Sequence, residues 1–273
     1  DLARATGCRL QISHLQVAGR ANWHHLPVAL EKIDGAAEEG IDVEFDMYPY
    51  LAGSTVLTQL LPQYALEGGA GAMVARLRDP LRRGEIAREV QGRLAQSWSD
   101  ILITGVRTAE NQWVVGSTLL EIATRRGADP AATVLDLVAE ERGEATIVSF
   151  NQCDENLRAL LTHRCCTVIS DGFYVKGRPH PRLFGTFPEL LGKICREKRW
   201  MTVEDAVHRI TLKPARRFGM RNVGSLRAGM SADITVFDAE TIGSPATYSD
   251  PAQPPVGIRL VFRQGRQVWP RPA

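Results

Sequence analysis

Short apolar runs alternate with segments of helical spacing over the first 170 or so residues, and this alternation constrains the fold more than any other feature. Arg9 to Ser13 (RLQIS), Ile41 to Tyr48 (IDVEFDMY), Thr146 to Phe150 (TIVSF) and Cys166 to Ser170 (CTVIS) read as strands, with a further strand-like DILITGV from Asp100 to Val106. After the first strand, Leu26, Ala29, Leu30, Ile33 and Ala37 recur at helical spacing, with a cap region near Asn22 and a stop at Gly40. Ser117 or Thr118 with Glu121 makes a capping box, and Asp129 with Pro130 opens a helix that closes near Gly143. Repeated strand–helix units with apolar, β-branched strands imply a parallel sheet, and polar residues at the strand exits suit the catalytic face of a barrel. A complete eight-stranded barrel takes roughly 250 residues. Only four or five strands precede Asp171, so about half of such a barrel is expected.

The expected class is therefore α/β: a partial TIM-like (β/α) barrel over residues 1–220, interrupted by an insertion near 57–113, and followed by a small β-sandwich portion over 221–273. The insertion holds the Gly-rich GGAGA and an amphipathic stretch from about Met73 to Leu94. Beyond the helix TVEDAVHRI, capped by Thr202, the pattern changes to the short β segments ADITVFD and GIRLVFRQGRQVW, with RQGR turning a hairpin. The chain opens at Asp1 directly into a helix-like end, without Met, so a truncated N-terminus is also expected.

Composition narrows the partners. With 33 basic residues against 31 acidic ones and no basic block or interleaved aromatic stripe, the chain carries no footprint for nucleic acid. No apolar run reaches the roughly 18 residues that span a bilayer and no signal-peptide order is present, so the expected location is cytoplasmic, with no membrane partner. The five cysteines are irregularly spaced in a long chain, which favours reduced thiols over a disulfide framework.

Several residues at strand ends can carry chemistry. His14, at the end of the first strand, presents either a metal-ligating imidazole or a hydrogen-bonded histidine of the sheet mouth. Asp171 in VISDGF is either a metal ligand and proton acceptor or the cap of an Asp-Gly turn. Arg182, in the proline-fixed RPHPRLFGTF, either grips a carboxylate bidentately or makes a structural salt bridge. Tyr48, Tyr50 and Ser54 in DMYPYLAGST offer hydroxyls to a substrate, with rim packing as the alternative for the tyrosines. Asp46 is a further ligand or a hydrogen-bond anchor. His180 reads as structural, as do His163 and His208, while His24 and His25 read as helix-terminal surface residues.

Taken in order, ISHL at His14, DMYPYLAGST at Asp46 to Thr55, ISDG at Ser170 to Gly172 and HPRLFGTFP at His180 to Pro188 resemble the N-acyl-D-amino-acid deacylase (D-aminoacylase) branch of the amidohydrolase superfamily. KPARRFGMRNVGSLRAGMSADITVFD, from Lys213 to Asp238, is similar to that superfamily's passage from barrel to β-sandwich. The resemblance implies a barrel of the metal-dependent hydrolase type that hydrolyses the amide of an N-acyl-D-amino acid to a carboxylate and a free D-amino acid. It implies one or two Zn2+ ions, with His14 as the fifth-strand ligand. Asp171 becomes the eighth-strand ligand and proton acceptor, and Arg182 the group that holds the substrate carboxylate beside Tyr50 and Tyr48. The family's His-x-His pair is absent from the chain and its sixth-strand histidine finds no match in Asp46 to Tyr50, so zinc binding is expected to be incomplete. SHLQ also departs from the SHHK-like form of relatives.

Two other readings follow from the same residues. A ring-opening amidohydrolase of the dihydroorotase or hydantoinase kind shares the barrel and metal logic. A non-catalytic fragment or scaffold would expose barrel edges and self-associate through them.

Overall fold

The computed structural model describes residues 1–174 and 177–270. Nine strands occur among them: β1 (Leu10–Ile12), β2 (Val43–Met47), β3 (Ala52–Val56), β4 (Ile101–Gly105), β5 (Thr146–Phe150), β6 (Cys166–Val168), β7 (Ile234–Phe237), β8 (Ile258–Arg263) and β9 (Arg266–Trp269). They form three separate three-stranded sheets.

The first sheet is parallel, in the order β1-β2-β6, with Phe45 opposite both Ile12 and Cys166. The Leu26–Glu38 helix connects β1 to β2 and buries Leu26 and Ile33, as the spacing of its apolar residues requires. A short 3-10 segment, Arg20–His25, precedes it, so the cap falls at His25 and not near Asn22. Phe45 and Met47 are fully buried, and together with Leu157, Leu160, Val168, Leu190 and Ile194 they make one core. Cys166 lies in the same core, where burial pushes its thiol up to about 12. The five cysteines are all free.

The second sheet is antiparallel, in the order β3-β5-β4, and corrects the expected strand count. DILITGV and TIVSF are strands, but they pair with each other and TIVSF pairs with β3, so the parallel sheet has three strands and not four or five. A short apolar run looks the same in either setting, and its partner decides its direction. The unit extends from Ala52 to Phe150 and has its own core, centred on Leu57, Ile101, Ile103, Leu119, Ile122, Leu135 and Ile147. Its capping signals are realised: Thr118 accepts from Glu121 N–H while Glu121 answers to Thr118 N–H, and Asp129 accepts from Ala132 N–H. The amphipathic stretch from Met73 is two helices, Gly69–Arg78 and Pro80–Arg93, because Pro80 cannot continue the first and Asp79 caps the second.

The third sheet, β7-β8-β9, is antiparallel. Gln264 and Gly265 both have positive φ, 51° and 77°, as a two-residue primed turn between β8 and β9 demands. A cavity of about 590 Å³ separates this sheet from the helices at 182–217, with Phe187, Leu191, Val207, Ile210, Leu226 and Ile258 in its wall. Among the described residues no helix is long and apolar enough to cross a membrane.

Candidate active site

Because β1, β2 and β6 run parallel, their exits share one end of the sheet. His14 lies just past β1 and Asp171 just past β6, separated by β2 and hence by two strand spacings, ~10 Å. Both have left-handed backbones, φ 35° at His14 and 45° at Asp171. A residue with a Cβ adopts that conformation at a cost of about 1–2 kcal/mol, and such outliers gather where a side chain must be aimed.

Asp46 holds the first of these turns in place. It is 6% exposed; its Oδ1 accepts from His14 N–H at 2.6 Å and Ser13 Oγ at 3.4 Å, and its Oδ2 accepts from Gln11 Nε2 at 2.8 Å. Of the two roles open to Asp46, the structure realises the hydrogen-bond anchor. His14 itself is exposed, and its ring makes no hydrogen bond among the described residues.

Arg182 is the centre of the site. Its side chain is 2% exposed, yet it carries a full charge whose nearest counter-ion is Asp171, with Nη2 to Oδ2 at 2.9 Å. The guanidinium lies over the Tyr48 ring, Cζ to centroid 4.5 Å, and 5.7 Å from the Phe173 ring. The Ser54 backbone carbonyl accepts from Nη2 at 3.5 Å. Tyr48 and Tyr50 are 1% and 6% exposed, and burial holds both phenols above their ordinary range, so each is a protonated donor.

His180 explains how Arg182 is held. Its Nδ1 accepts from the Arg182 amide at 2.9 Å, which leaves the proton on Nε2, where it is donated to Ala52 O at 2.9 Å. Burial, then the Arg182 charge, holds its pKa down to about 3, so the ring is neutral. Its edge-to-face partners are Tyr50 at 5.0 Å and Tyr248 at 5.1 Å. The structural role expected of His180 thus becomes a specific one. Tyr248 sits in a segment with no strand or helix signal and was not foreseen.

Three buried side-chain atoms lack a hydrogen-bond partner among the described residues: Tyr50 OH, Arg182 Nε and Gln152 Oε1. Two belong to residues that the sequence proposes as substrate ligands, and the third is joined to Tyr48 through Gln16. Each such atom costs about 1–3 kcal/mol when left unpaired, so their concentration here marks a place built for a polar ligand.

A second group of possible metal ligands lies at the other end of the sheet. Asp34, His163 and Cys165 bring donor atoms within 4.8 Å of one another. Arg164 pairs with Asp34 at 2.5 Å, and His163 Nδ1 accepts from Cys165 N–H at 3.2 Å, so the ring proton sits on Nε2, facing Asp34 Oδ2 at 3.3 Å. The group is a hydrogen-bonded tie between helix and strand, in keeping with the structural reading of His163.

The chain belongs to the amidohydrolase family, whose model matches residues 84–269. Over 99% of its length it is 33% identical to an N-acyl-D-glutamate deacylase of Alcaligenes xylosoxydans xylosoxydans, covering 47% of that protein. Over 94% of its length it is 31% identical to a D-aminoacylase of the same organism, covering 45% of it. Among solved structures, it superposes with a TM-score of 0.79 and 33% identity on an N-acyl-D-glutamate deacylase from Bordetella bronchiseptica complexed with zinc and a phosphonate inhibitor that mimics the tetrahedral intermediate; the match covers 100% of this chain and 49% of that one. The chain spans about half the length of the relatives it matches.

Proposed function

We propose that the chain carries one half of the active site of a metal-dependent N-acyl-D-amino-acid deacylase. The observation that carries this reading is the buried Arg182 guanidinium, paired with Asp171 at the exit of a parallel strand, with its own Nε left without a hydrogen-bond partner. In this reading the parallel sheet is an arc of the family's barrel, residues 1–220 hold that arc and the insertion, and 221–273 belong to the β-sandwich portion. If β6 is the eighth strand, the order β1-β2-β6 makes β1 the sixth, so His14 takes the sixth-strand position for which the sequence offered no match, and the fifth-strand assignment is withdrawn.

The donor set suits a divalent ion. His14 offers an exposed imidazole nitrogen and Asp171 a carboxylate, both from strained turns that fix their direction. These two residues would hold zinc, the ion named for the solved relative. When bound, such an ion supplies Lewis acidity and a water whose pKa is about 7.

The remaining steps belong to this chain's own side chains. Arg182 binds the substrate's α-carboxylate through its fork, with Tyr48 and Tyr50 as additional hydroxyl donors. The Asp171 carboxylate accepts a proton from the attacking water and returns it to the nitrogen as the amide C–N bond breaks, releasing a carboxylic acid and a D-amino acid. A hydantoin without a carboxylate offers nothing for Arg182 to grip, which disfavours the hydantoinase-like form of the ring-opening alternative.

The test is hydrolysis of N-acetyl-D-amino acids by this chain and by a version extended to the relatives' length, each with zinc. The extended protein is expected to be active and the 273-residue chain weakly active or inactive. Equal activity would reject the half-site reading, and hydrolysis of cyclic imides alone would reject the substrate class.

A further inference from the structure

Gln152 is a buried polar residue that the deacylase reading leaves without a task. It is 5% exposed and follows β5, so it comes from the antiparallel unit and not from the parallel sheet. Its Nε2 has three oxygens around it: Gln16 Oε1 at 3.1 Å, Asn151 O at 3.2 Å and Asn151 Oδ1 at 3.2 Å. One of these is a backbone carbonyl, which cannot turn over, so the amide orientation is fixed. Oε1 is thereby left buried with no donor.

The environment of this oxygen leads back to the candidate site. Gln16 Nε2 donates to Tyr48 OH at 3.4 Å, which leaves the Tyr48 proton free to donate in turn, and the Tyr48 ring carries the Arg182 guanidinium. A Cβ on Gly53 would approach Tyr48 OH to 3.1 Å and Asn151 Nδ2 to 3.8 Å, so the absence of a side chain there lets the Tyr48 hydroxyl pack close against β3. With the substrate's α-carboxylate on Arg182 and its amide directed to Asp171, the group left to extend past Tyr48 is the amino-acid side chain.

We infer that Gln152 is a specificity-determining residue whose Oε1 accepts a hydrogen bond from a donor on that side chain. The inference rests on the deacylase reading above. It selects D-amino acids with carboxamide side chains over apolar ones of equal size. It also selects against a side-chain carboxylate, which has no proton to give and would set oxygen against oxygen. A buried acceptor rejects analogues that leave it unpaired.

The test is titration calorimetry of the zinc-supplemented protein with N-acetyl-D-glutamine, N-acetyl-D-methionine and N-acetyl-D-glutamate. The glutamine derivative is expected to bind about tenfold tighter than either of the others, in line with the cost of one unpaired buried acceptor. Gln152→Met should collapse the ratio between glutamine and methionine derivatives toward one. Gln16→Met, which leaves Oε1 in place, should preserve it. A merely structural role would weaken all ligands alike and leave the ratios standing, which would overturn the inference, as would equal or tighter binding of the glutamate derivative to the wild type. If none of the three binds or is hydrolysed, even by the version extended to the relatives' length, it is the deacylase reading that fails, and this inference with it.

Discussion

Arg182 Nη2 and Asp171 Oδ2 meet at 2.9 Å, so the group proposed to hold the substrate's carboxylate and the group proposed to move its proton are in direct contact. The pair joins the exit of β6 to the first residue of the Arg182–Glu189 helix. In the proposed reading, a substrate carboxylate arriving at Arg182 competes with Asp171 for the same fork and frees Asp171 for proton transfer.

Arg182→Lys keeps the charge and removes the fork. KM for N-acyl-D-amino acids should rise tenfold or more, because a point charge cannot grip the substrate's carboxylate at two points in fixed geometry. Steady-state kinetics on the extended protein checks this, and an unchanged KM would remove Arg182 from substrate binding.

His14→Ala and Asp171→Asn should each lower bound zinc, measured by elemental analysis after dialysis, while the circular dichroism spectrum stays that of the wild type. Zinc that persists at the same level in both variants would show that the ion binds elsewhere, with Asp34, His163 and Cys165 the first residues to substitute next.

Gly177 has φ 91°, and a Cβ there would lie 2.3 Å from Thr104 O, in the antiparallel unit. The neighbouring Arg178 amide donates to the same Thr104 oxygen at 2.7 Å. Gly177→Ala therefore strikes backbone that cannot yield cheaply, and should cost about 2 kcal/mol or more of stability. Because this contact ties the loop that carries Asp171 and Arg182 to β4, activity should fall with it. Thermal unfolding and kinetics on the same preparation check both. A fully stable, fully active variant would show that the loop does not depend on that tie.

The neutral His180 makes stability depend on pH. Its folded pKa, about 3, lies below the ordinary value of 6.5. Between those limits the unfolded chain binds a proton that the folded protein does not, so stability is complete above pH 6.5 and falls as pH drops toward 3, by at most ~1.4 kcal/mol per pH unit. In His180→Gln, urea unfolding at pH 7 and pH 5 should show a smaller difference than in the wild type. An undiminished pH dependence would assign the effect to other groups.

Glu141 is fully buried and accepts from Arg107 N–H at 2.5 Å, Thr108 N–H at 2.9 Å and Asn111 Nδ2 at 2.7 Å, and from the Thr108 hydroxyl. Burial alone would raise its pKa, but these donors outweigh burial and hold it below the ordinary carboxylate range. The stabilisation is therefore present above the unfolded value of ~4.3 and lost as pH falls through the folded one. Glu141→Gln should cost about 2 kcal/mol at pH 7, since an amide turns an NH2 group toward donors, and should cost less at pH 3. A loss that is the same at both pH values would contradict the charged anchor.

Much of this was legible in the sequence. The strands at RLQIS, IDVEFDMY, TIVSF and CTVIS, the Thr118–Glu121 and Asp129 caps, the hairpin at Gln264–Gly265 and the placement of His14 and Asp171 at strand exits depend on spacing and local hydrogen bonding. The Arg182–Glu189 helix and its π-helical continuation over Leu190–Glu197 were not read, because Pro188 sits inside and argues against any helix until tertiary packing holds one. Gln16, Gln152 and Tyr248 were missed as well, since amides and a lone tyrosine in irregular segments carry no periodic signal.

The sequence by itself determined which segments become strands and helices and which residues stand at the strand exits, since those features follow from side-chain period and from caps a few residues apart. Only the tertiary structure decided that TIVSF and DILITGV leave the parallel sheet for an antiparallel one. It likewise decided that Asp46 anchors the turn at His14, and that Arg182 meets Asp171 over the face of Tyr48. Strand direction and the pairing of buried charges depend on partners distant in the chain, and their positions are fixed when the cores pack, where an unpaired charge costs far more than any local preference can offset.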